Sequence, residues 1–410
     1  MTDLPPTLIA ICTTLTLLYP LTLAPKPSSY TPTLDSTLHL LGHLYPTLYT
    51  LFSLTTTYLL TLLATSSFTL SAAINALTLN LLYTTLYALS ALNRYYGNGA
   101  SRRLVMADQV AVVTGGAGGL GWLIAHMLAR KGVAVAVWDV RAPDEWSQEQ
   151  QDDEGGIRYY ECDVGDADKV DETWRRTMQD VGLGSVCVMN THIYCLGSVQ
   201  SNNDLQQMGT PTILINNAGI VNGVPLLSLT PTALSRTFNI NTLSHFHTCR
   251  TFLPSMLASP QGGTIVTVSS VLGHLGASHL TDYTASKAAL LAFHTSLSAE
   301  VAAMRKDEAC PGAKNMRMVL VKPGQLSTKM FESLVSPSDF FGPVVLAKDL
   351  AMAVVKAVEG GRRNEVVAMP VYAWLVEWMG VLPVSLQRVA RWCSGVDRAM
   401  ETFGGQRKVD

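Results

Sequence analysis

Between residues 109 and 370, short apolar runs rich in β-branched residues alternate with longer stretches of helical period. The runs at 110–113, 133–138, 158–162, 212–216, 264–268, 316–321 and 365–368 predict strands. Their near-continuous apolar character fits strands covered on both faces. The stretches 120–130, 169–180, 238–257, 286–304 and 348–359 place apolar residues three and four apart and predict helices. Strand and helix in alternation predict an α/β, Rossmann-type doubly wound parallel sheet of about seven strands. That layer takes residues 105–370.

Two stretches break the alternation. Residues 141–156, between the second and third strands, are acidic and glycine-rich and predict a short or frayed helix. Between a helix ending near 181 and the strand at 212, about 30 residues stand where two to six are usual. Within this insertion, 183–209, residues 185–197 are strand-like and 198–208 are polar without a helical period. It is read as a dispensable surface excursion, or as translated intron sequence that is not part of the natural protein.

Residues 1–104 are different in kind. Before Arg94 the only charged side chains are Asp3, Lys26 and Asp35, and uncharged runs occupy 4–24, 47–65 and 68–92. A helix of about 20 residues crosses a bilayer, so this is a hydrophobic helical membrane-anchor region, with the first run borderline because of Pro20. Threonine hydroxyls can bond back to a carbonyl one turn earlier and so do not forbid insertion. Asp3 and the lack of a basic start argue against a cleaved signal peptide. Arg94, Arg102 and Arg103 place the chain beyond them on the cytosolic side. In the third region, 371–410, an apolar aromatic stretch to Pro383 precedes Arg388, Arg391 and Arg398. It suits a helix lying on membrane lipid, or one packed on the sheet or on a second subunit of a homodimer.

Composition then removes function classes. Lys and Arg number 29 against 31 Asp and Glu, so there is no basic footprint for nucleic acid. Seven cysteines without a Cys-x-x-Cys pair indicate reduced thiols, not a disulfide framework or zinc site. The nine histidines, His245, His247, His274 and His294 among them, show no ligand spacing, so no metal is expected.

The candidate chemistry centres on Tyr283 and Lys287. A spacing of i, i+4 puts phenol and ammonium on one helical face, where the cation can stabilise a phenolate that would otherwise need a pH near 10. Ser270, 13 residues earlier at the end of an apolar strand, can hydrogen-bond the substrate oxygen. The first strand runs into Thr114-Gly-Gly-Ala-Gly-Gly-Leu-Gly121, a glycine turn opening a helix. There the backbone of Gly115, Gly119, Leu120 and Gly121 can receive a pyrophosphate. Asp139 closes the second strand about 20 residues on, where a carboxylate bonds adenosine ribose hydroxyls.

These residues, with Cys162-Asp163-Val164, Asn216-Asn217-Ala218-Gly219, Asn241, Pro323-Gly324 and Thr328 in the same order, resemble the short-chain dehydrogenase/reductase family over residues 108–370. Stretches 137–139, 159–164 and 251–256 are similar to its membrane-bound 16C branch, which holds retinol dehydrogenases and 17-beta-hydroxysteroid dehydrogenase-like proteins of endoplasmic reticulum and lipid droplets. The resemblance implies Tyr283 as acid/base, Lys287 on the nicotinamide ribose, Ser270 orienting the substrate oxygen and Asn241 placing a relay water. It implies Asp163 at the adenine, Asn217 supporting the sheet behind the cofactor, and Pro323, Gly324 and Thr328 at the nicotinamide. Asp139 would repel a 2′-phosphate, so NAD is expected over NADP. Through the resemblance, the substrate is a lipophilic alcohol or its carbonyl, and the location is endoplasmic reticulum or lipid droplet. The rivals are an NADPH-dependent keto-lipid reductase and a non-catalytic nucleotide-binding scaffold.

Overall fold

The computed structural model describes Leu81, Thr85 and residues 104–143, 156–180, 211–331 and 342–397. The chain divides into two units, Met1–Gly97 and Asn98–Asp410. In the first, Leu81 and Thr85 are helical, and the Thr85 hydroxyl donates to the Leu81 carbonyl at 2.8 Å. That is the back-bond that lets threonine sit in an apolar helix. The three uncharged runs otherwise lie outside the described residues, as do most of 141–156 and the insertion 183–209. Among the described residues no helix is long and apolar enough to cross a membrane.

The second unit holds a seven-stranded sheet in the order β3-β2-β1-β4-β5-β6-β7. The strands are β1 Val110–Thr114, β2 Ala134–Asp139, β3 Ile157–Glu161, β4 Ile213–Asn216, β5 Thr264–Val268, β6 Arg317–Pro323 and β7 Asn364–Met369. Every pairing is parallel, with Val112 opposite Ala136 on one side and Leu214 on the other. All seven expected strands are present, with ends moved by at most two residues. Chain direction across the sheet reverses between β1 and β4, so their carboxyl ends flank the crevice where open α/β sheets bind ligands.

Helices cover both faces. On one side α1 (Gly119–Ala129) and α6 (Ala347–Gly360) pack Ile124, Leu128, Leu350 and Val354 against Val113, Val135 and Val319, all almost fully buried. On the other lie α2 (Ala167–Asp180), α4 (Ser244–Ala258) and α5 (Thr281–Met304). Each such large apolar side chain contributes roughly 1.5–3 kcal/mol when removed from water. Trp138 of β2 shows how a polar tip is handled: its ring meets Phe252 edge-on at 5.5 Å and its indole N–H donates to Thr177 at 3.0 Å.

The helix expected over 238–257 is longer and broken. It begins as α3 (Pro231–Phe238), capped by the Thr230 hydroxyl accepting from Ala233 N, widens into a π-turn at Asn239–Leu243, and continues as α4. Beyond β7 come one helical turn, α7 (Tyr372–Leu375), a 3-10 stretch Val376–Val381, and α8 (Val384–Ser394). No residue of α8 is buried, and Trp374, Trp378 and Trp392 are exposed.

Candidate active site

The glycine turn leaves β1 at the switch point. Gly115 takes φ 61°, and a Cβ there would lie 2.7 Å from the Ala218 backbone, so only glycine fits between β1 and the segment after β4. A Cβ on Gly121 would meet the Gly115 carbonyl at 2.3 Å, which is how closely α1 packs on the turn. Gly118 is extended, precedes α1 without a side-chain cap, and has nothing within 4 Å of where a Cβ would be. The first N–H groups of α1 thus have no capping side chain and adjoin open space, as an anion requires. This cradle and the surrounding residues fit a dinucleotide.

The other predicted cofactor residues are arranged around it. Asp139 Oδ2 accepts from Ala117 N at 3.0 Å, tying the end of β2 to the turn, and Oδ1 accepts from Arg141 N at 3.4 Å. Asn217 Nδ2 donates to the Thr114 and Gly115 carbonyls at 3.1 and 3.0 Å, clamping β1 and the turn to the segment after β4. Asp163, exposed after β3, accepts from Gly165 N at 2.9 Å. Leu120 is buried beneath the turn. Thr328 lies opposite, its Cγ2 3.6 Å from the Cβ position of Gly119.

Ser270, Tyr283, Lys287 and Asn241 come together at the carboxyl end of β5. Ser270 Oγ donates to the Pro323 carbonyl at 3.3 Å and accepts from Leu272 N at 3.1 Å. Lys287 Nζ donates to the Val268 carbonyl at 3.0 Å and stands 5.7 Å from the Tyr283 ring centre. Asn241, in the π-turn, donates to the Ile220 carbonyl and to Ser286 Oγ, both at 3.0 Å, and accepts from Ile220 N at 2.7 Å. Its Oδ1 and Lys287 Nζ are each 3.5 Å from where a Cβ of Gly219 would sit. An apolar wall of Val221, Ala277 and Leu280 surrounds the Tyr283 ring.

The electrostatics differ from the expectation drawn from spacing. Burial pushes the Tyr283 phenol up to about 12, opposed by its hydrogen bond with Ser270. Burial likewise pushes the Lys287 ammonium down to about 8. In this arrangement desolvation outweighs the attraction expected between the pair.

Several supporting groups were not identified from sequence. Ser286 Oγ donates to the Tyr283 carbonyl at 2.7 Å and links it to Asn241. Asp282, buried in the first turn of α5, accepts from Asn222 at 2.7 Å and Thr237 at 2.8 Å. His294 lies behind β5, its Nδ1 3.0 Å from Thr267 Oγ1. A carboxylate beside Tyr283 was the one available signal, since an acid in a first turn favours the helix start.

The family model described as short chain dehydrogenase matches residues 109–206 and 201–339. Retinol dehydrogenase 10 of Rattus norvegicus is 29% identical over 313 residues, 74% of this chain and 87% of that protein. Retinol dehydrogenase 10-B of Danio rerio is 30% identical over 313 residues, 75% of this chain and 88% of that protein. An uncharacterised oxidoreductase of Saccharomyces cerevisiae is 26% identical over 299 residues, 73% of this chain and 86% of that protein. Among solved structures, a short-chain type dehydrogenase/reductase from Mycobacterium marinum superposes with a TM-score of 0.51 at 22% identity, covering 64% of this chain and 95% of its own.

Proposed function

Because the chain belongs to the short-chain dehydrogenase family, which makes it an NAD(P)-dependent oxidoreductase, we propose that it is membrane-anchored and interconverts a lipophilic alcohol and its carbonyl, using NAD. The observation that carries this reading is the Tyr283 hydroxyl, hydrogen-bonded to Ser270 and ringed by Val221, Ala277 and Leu280. A polar pair at the end of an apolar wall suits a substrate with one oxygen and a long apolar body. The relatives named for retinol support the same class.

Bound nicotinamide cofactor supplies or accepts the hydride. Tyr283 gives its proton to the carbonyl oxygen in reduction and takes it from the hydroxyl in oxidation. Ser270 orients that oxygen through its hydroxyl, itself held by Leu272 N. Lys287 holds the ribose end and supplies positive charge near the phenol, and Asn241 stations a water beside Lys287. Gly115, Gly119, Leu120 and Gly121 seat the pyrophosphate, Asp139 the adenosine ribose and Asp163 the adenine. Asn217 braces the turn; Pro323, Gly324 and Thr328 cover the nicotinamide end.

The uncharged runs of 1–104 support a membrane anchor, and the exposed Trp374, Trp378 and Trp392 suit the bilayer interface. Endoplasmic reticulum or lipid droplet is the corresponding location, with the catalytic unit facing the cytosol. The test is product analysis on detergent-solubilised full chain with retinol, a steroid alcohol, a long-chain alcohol and a sphingoid ketone, each with both cofactors. Tyr283→Phe should lower turnover of the active substrate about 100-fold or more while dinucleotide binding survives. Turnover near that of the parent would remove Tyr283 from the reaction.

A further inference from the structure

Lys322 is a charged residue that the chemistry above does not use. It is the penultimate residue of β6, immediately before Pro323, and is 2% exposed. Its neighbours come from the segment after β7. The Glu377 carboxylate pairs with its ammonium, and the Trp374 ring lies over it, with Nζ 5.2 Å from the ring centre. Residues 374 and 377 are three apart at the junction of α7 with the 3-10 stretch, so they face the same way. Glu377 Oε1 is also 3.9 Å from His274 Nε2, just beyond the turn that Ser270 caps.

Glu377 therefore touches both stretches that hold Ser270: the end of β6, whose Pro323 carbonyl accepts from Ser270, and the turn at Val271–Gly273. Apolar packing runs the same way. Leu272 packs on the cluster of Val271, Ala368 and Ala373 under α7, and also on the cluster of Val221, Leu280 and Tyr283. Val396, after α8, packs on that second cluster. Tyr372 completes the contact, since a Cβ on Gly324 would lie 2.6 Å from its hydroxyl. The segment 372–397 thus leans on the Pro323–Gly324 turn, the Ser270 turn and the wall around Tyr283.

We propose that Glu377 is a positioning residue: by pairing with Lys322 alongside His274 it docks segment 372–397 as a wall of the substrate pocket and sets the turn that carries Ser270. The proposal rests on the alcohol–carbonyl reading above for its kinetic consequence, but not for its structural one. Burial pushes the Lys322 ammonium down to about 8, and the carboxylate paired with it is that of Glu377. Removing the carboxylate alone strands a buried cation, whereas replacing both groups by apolar ones does not.

Three full-length proteins test it: the parent, Glu377→Leu, and the double variant Lys322→Met with Glu377→Leu. Amide hydrogen exchange is read at 372–397, at 270–274, and at β1 as reference. Glu377→Leu should speed exchange about 10-fold or more at both of the first two stretches and leave β1 unchanged, and the double variant should restore both. For whichever alcohol of the panel turns over, Glu377→Leu should raise KM about 10-fold, with kcat within about threefold and NADH binding unchanged. Unaltered exchange at 270–274 would overturn the proposal, as would equal loss of protection in β1 or a fall in kcat with KM unmoved. If no alcohol in the panel turns over, the functional reading fails on its own, while the exchange pattern still decides whether the clasp exists.

Discussion

Asp139 should set the choice between the two nicotinamide dinucleotides. It ends β2 beside the glycine turn, and strand pairing puts Glu161 of β3 directly opposite it, so two carboxylates stand at this corner. A 2′-phosphate, carrying about 1.5–2 negative charges, would have to enter there. Two unit charges about 4 Å apart repel by about 1 kcal/mol in bulk water and about 4 kcal/mol at an effective dielectric of 20. Asp139 is half-buried and Glu161 exposed, which puts the net penalty near the lower figure for each carboxylate. At 1.4 kcal/mol per factor of ten, NAD should be preferred at least about 10-fold in kcat/KM. Asp139→Asn keeps an oxygen for the bond from Ala117 N and removes the charge, so the turn stays braced while the repulsion falls. Titration of NADH and NADPH by fluorescence, followed by kcat/KM for each oxidised form, should show NADP improving about five- to tenfold. The effect should shrink in high salt. Arg141 is the group that could defeat this, since its backbone already reaches Asp139 and a basic side chain at 141 can meet a phosphate. Equal kcat/KM for NAD and NADP in the parent protein would refute the reasoning.

Acid should weaken the catalytic unit through its buried histidines. Burial lowers His294 from 6.5 to about 4 and holds His245 well below its ordinary value. The unfolded chain therefore binds protons that the folded chain refuses. Stability is full above pH 6.5 and is lost as pH falls toward 4, by up to roughly 3 kcal/mol for His294. His294→Gln should flatten part of that slope in denaturant melts, and an unchanged slope would show that this ring is not the source. Deleting 184–208 should preserve expression and NADH binding, because the family match breaks into two pieces within that stretch. Transcript sequencing should find a shorter message, and a full-length message together with loss of folding on deletion would reject both parts of the idea. Removing residues 1–100 should leave NADH binding intact and shift the protein toward the soluble fraction. A folded truncation unable to bind NADH would place the leader within the catalytic unit.

Features carried by local signals were legible in the sequence, and those made by long-range contact were not. The seven strands could be read because runs such as 110–113 and 264–268 are short and rich in β-branched residues, which separates them from buried helix where periodicity alone does not. The glycine turn could be read because Gly115 and Gly121 answer to contacts that exclude any side chain. The π-turn at Asn241 was not legible, since one extra residue in a helix leaves the apolar spacing on either side almost unchanged. Thr230 followed by Pro231 did signal the true start of that helix, seven residues before the expected one, through an N-cap and a proline at the first position. The meeting of Lys322 with Glu377 joins residues 55 apart in sequence, and no spacing rule reports such a pair.

The Tyr283–Lys287 pair shows where a spacing argument stops. On an exposed helix the four-residue interval would let the ammonium stabilise a phenolate. In the folded chain Tyr283 is 6% exposed and Lys287 3%. The low dielectric that would strengthen their attraction also penalises each charge, driving the phenol up to about 12 and the ammonium down to about 8. Lys287 commits a hydrogen bond to the Val268 carbonyl, and its approach to Tyr283 is to the ring, 5.7 Å from the centre. At neutral pH the phenol is therefore protonated, the form that donates to a carbonyl. Oxidation of an alcohol requires the opposite form, and reaching it depends on positive charge gathered near the ring when the site is filled. Lys287 can supply that charge because its ammonium, though lowered to about 8, still holds its proton at neutral pH. The same burial that excludes water from Tyr283 thus lowers the Lys287 ammonium while leaving it a cation at neutral pH.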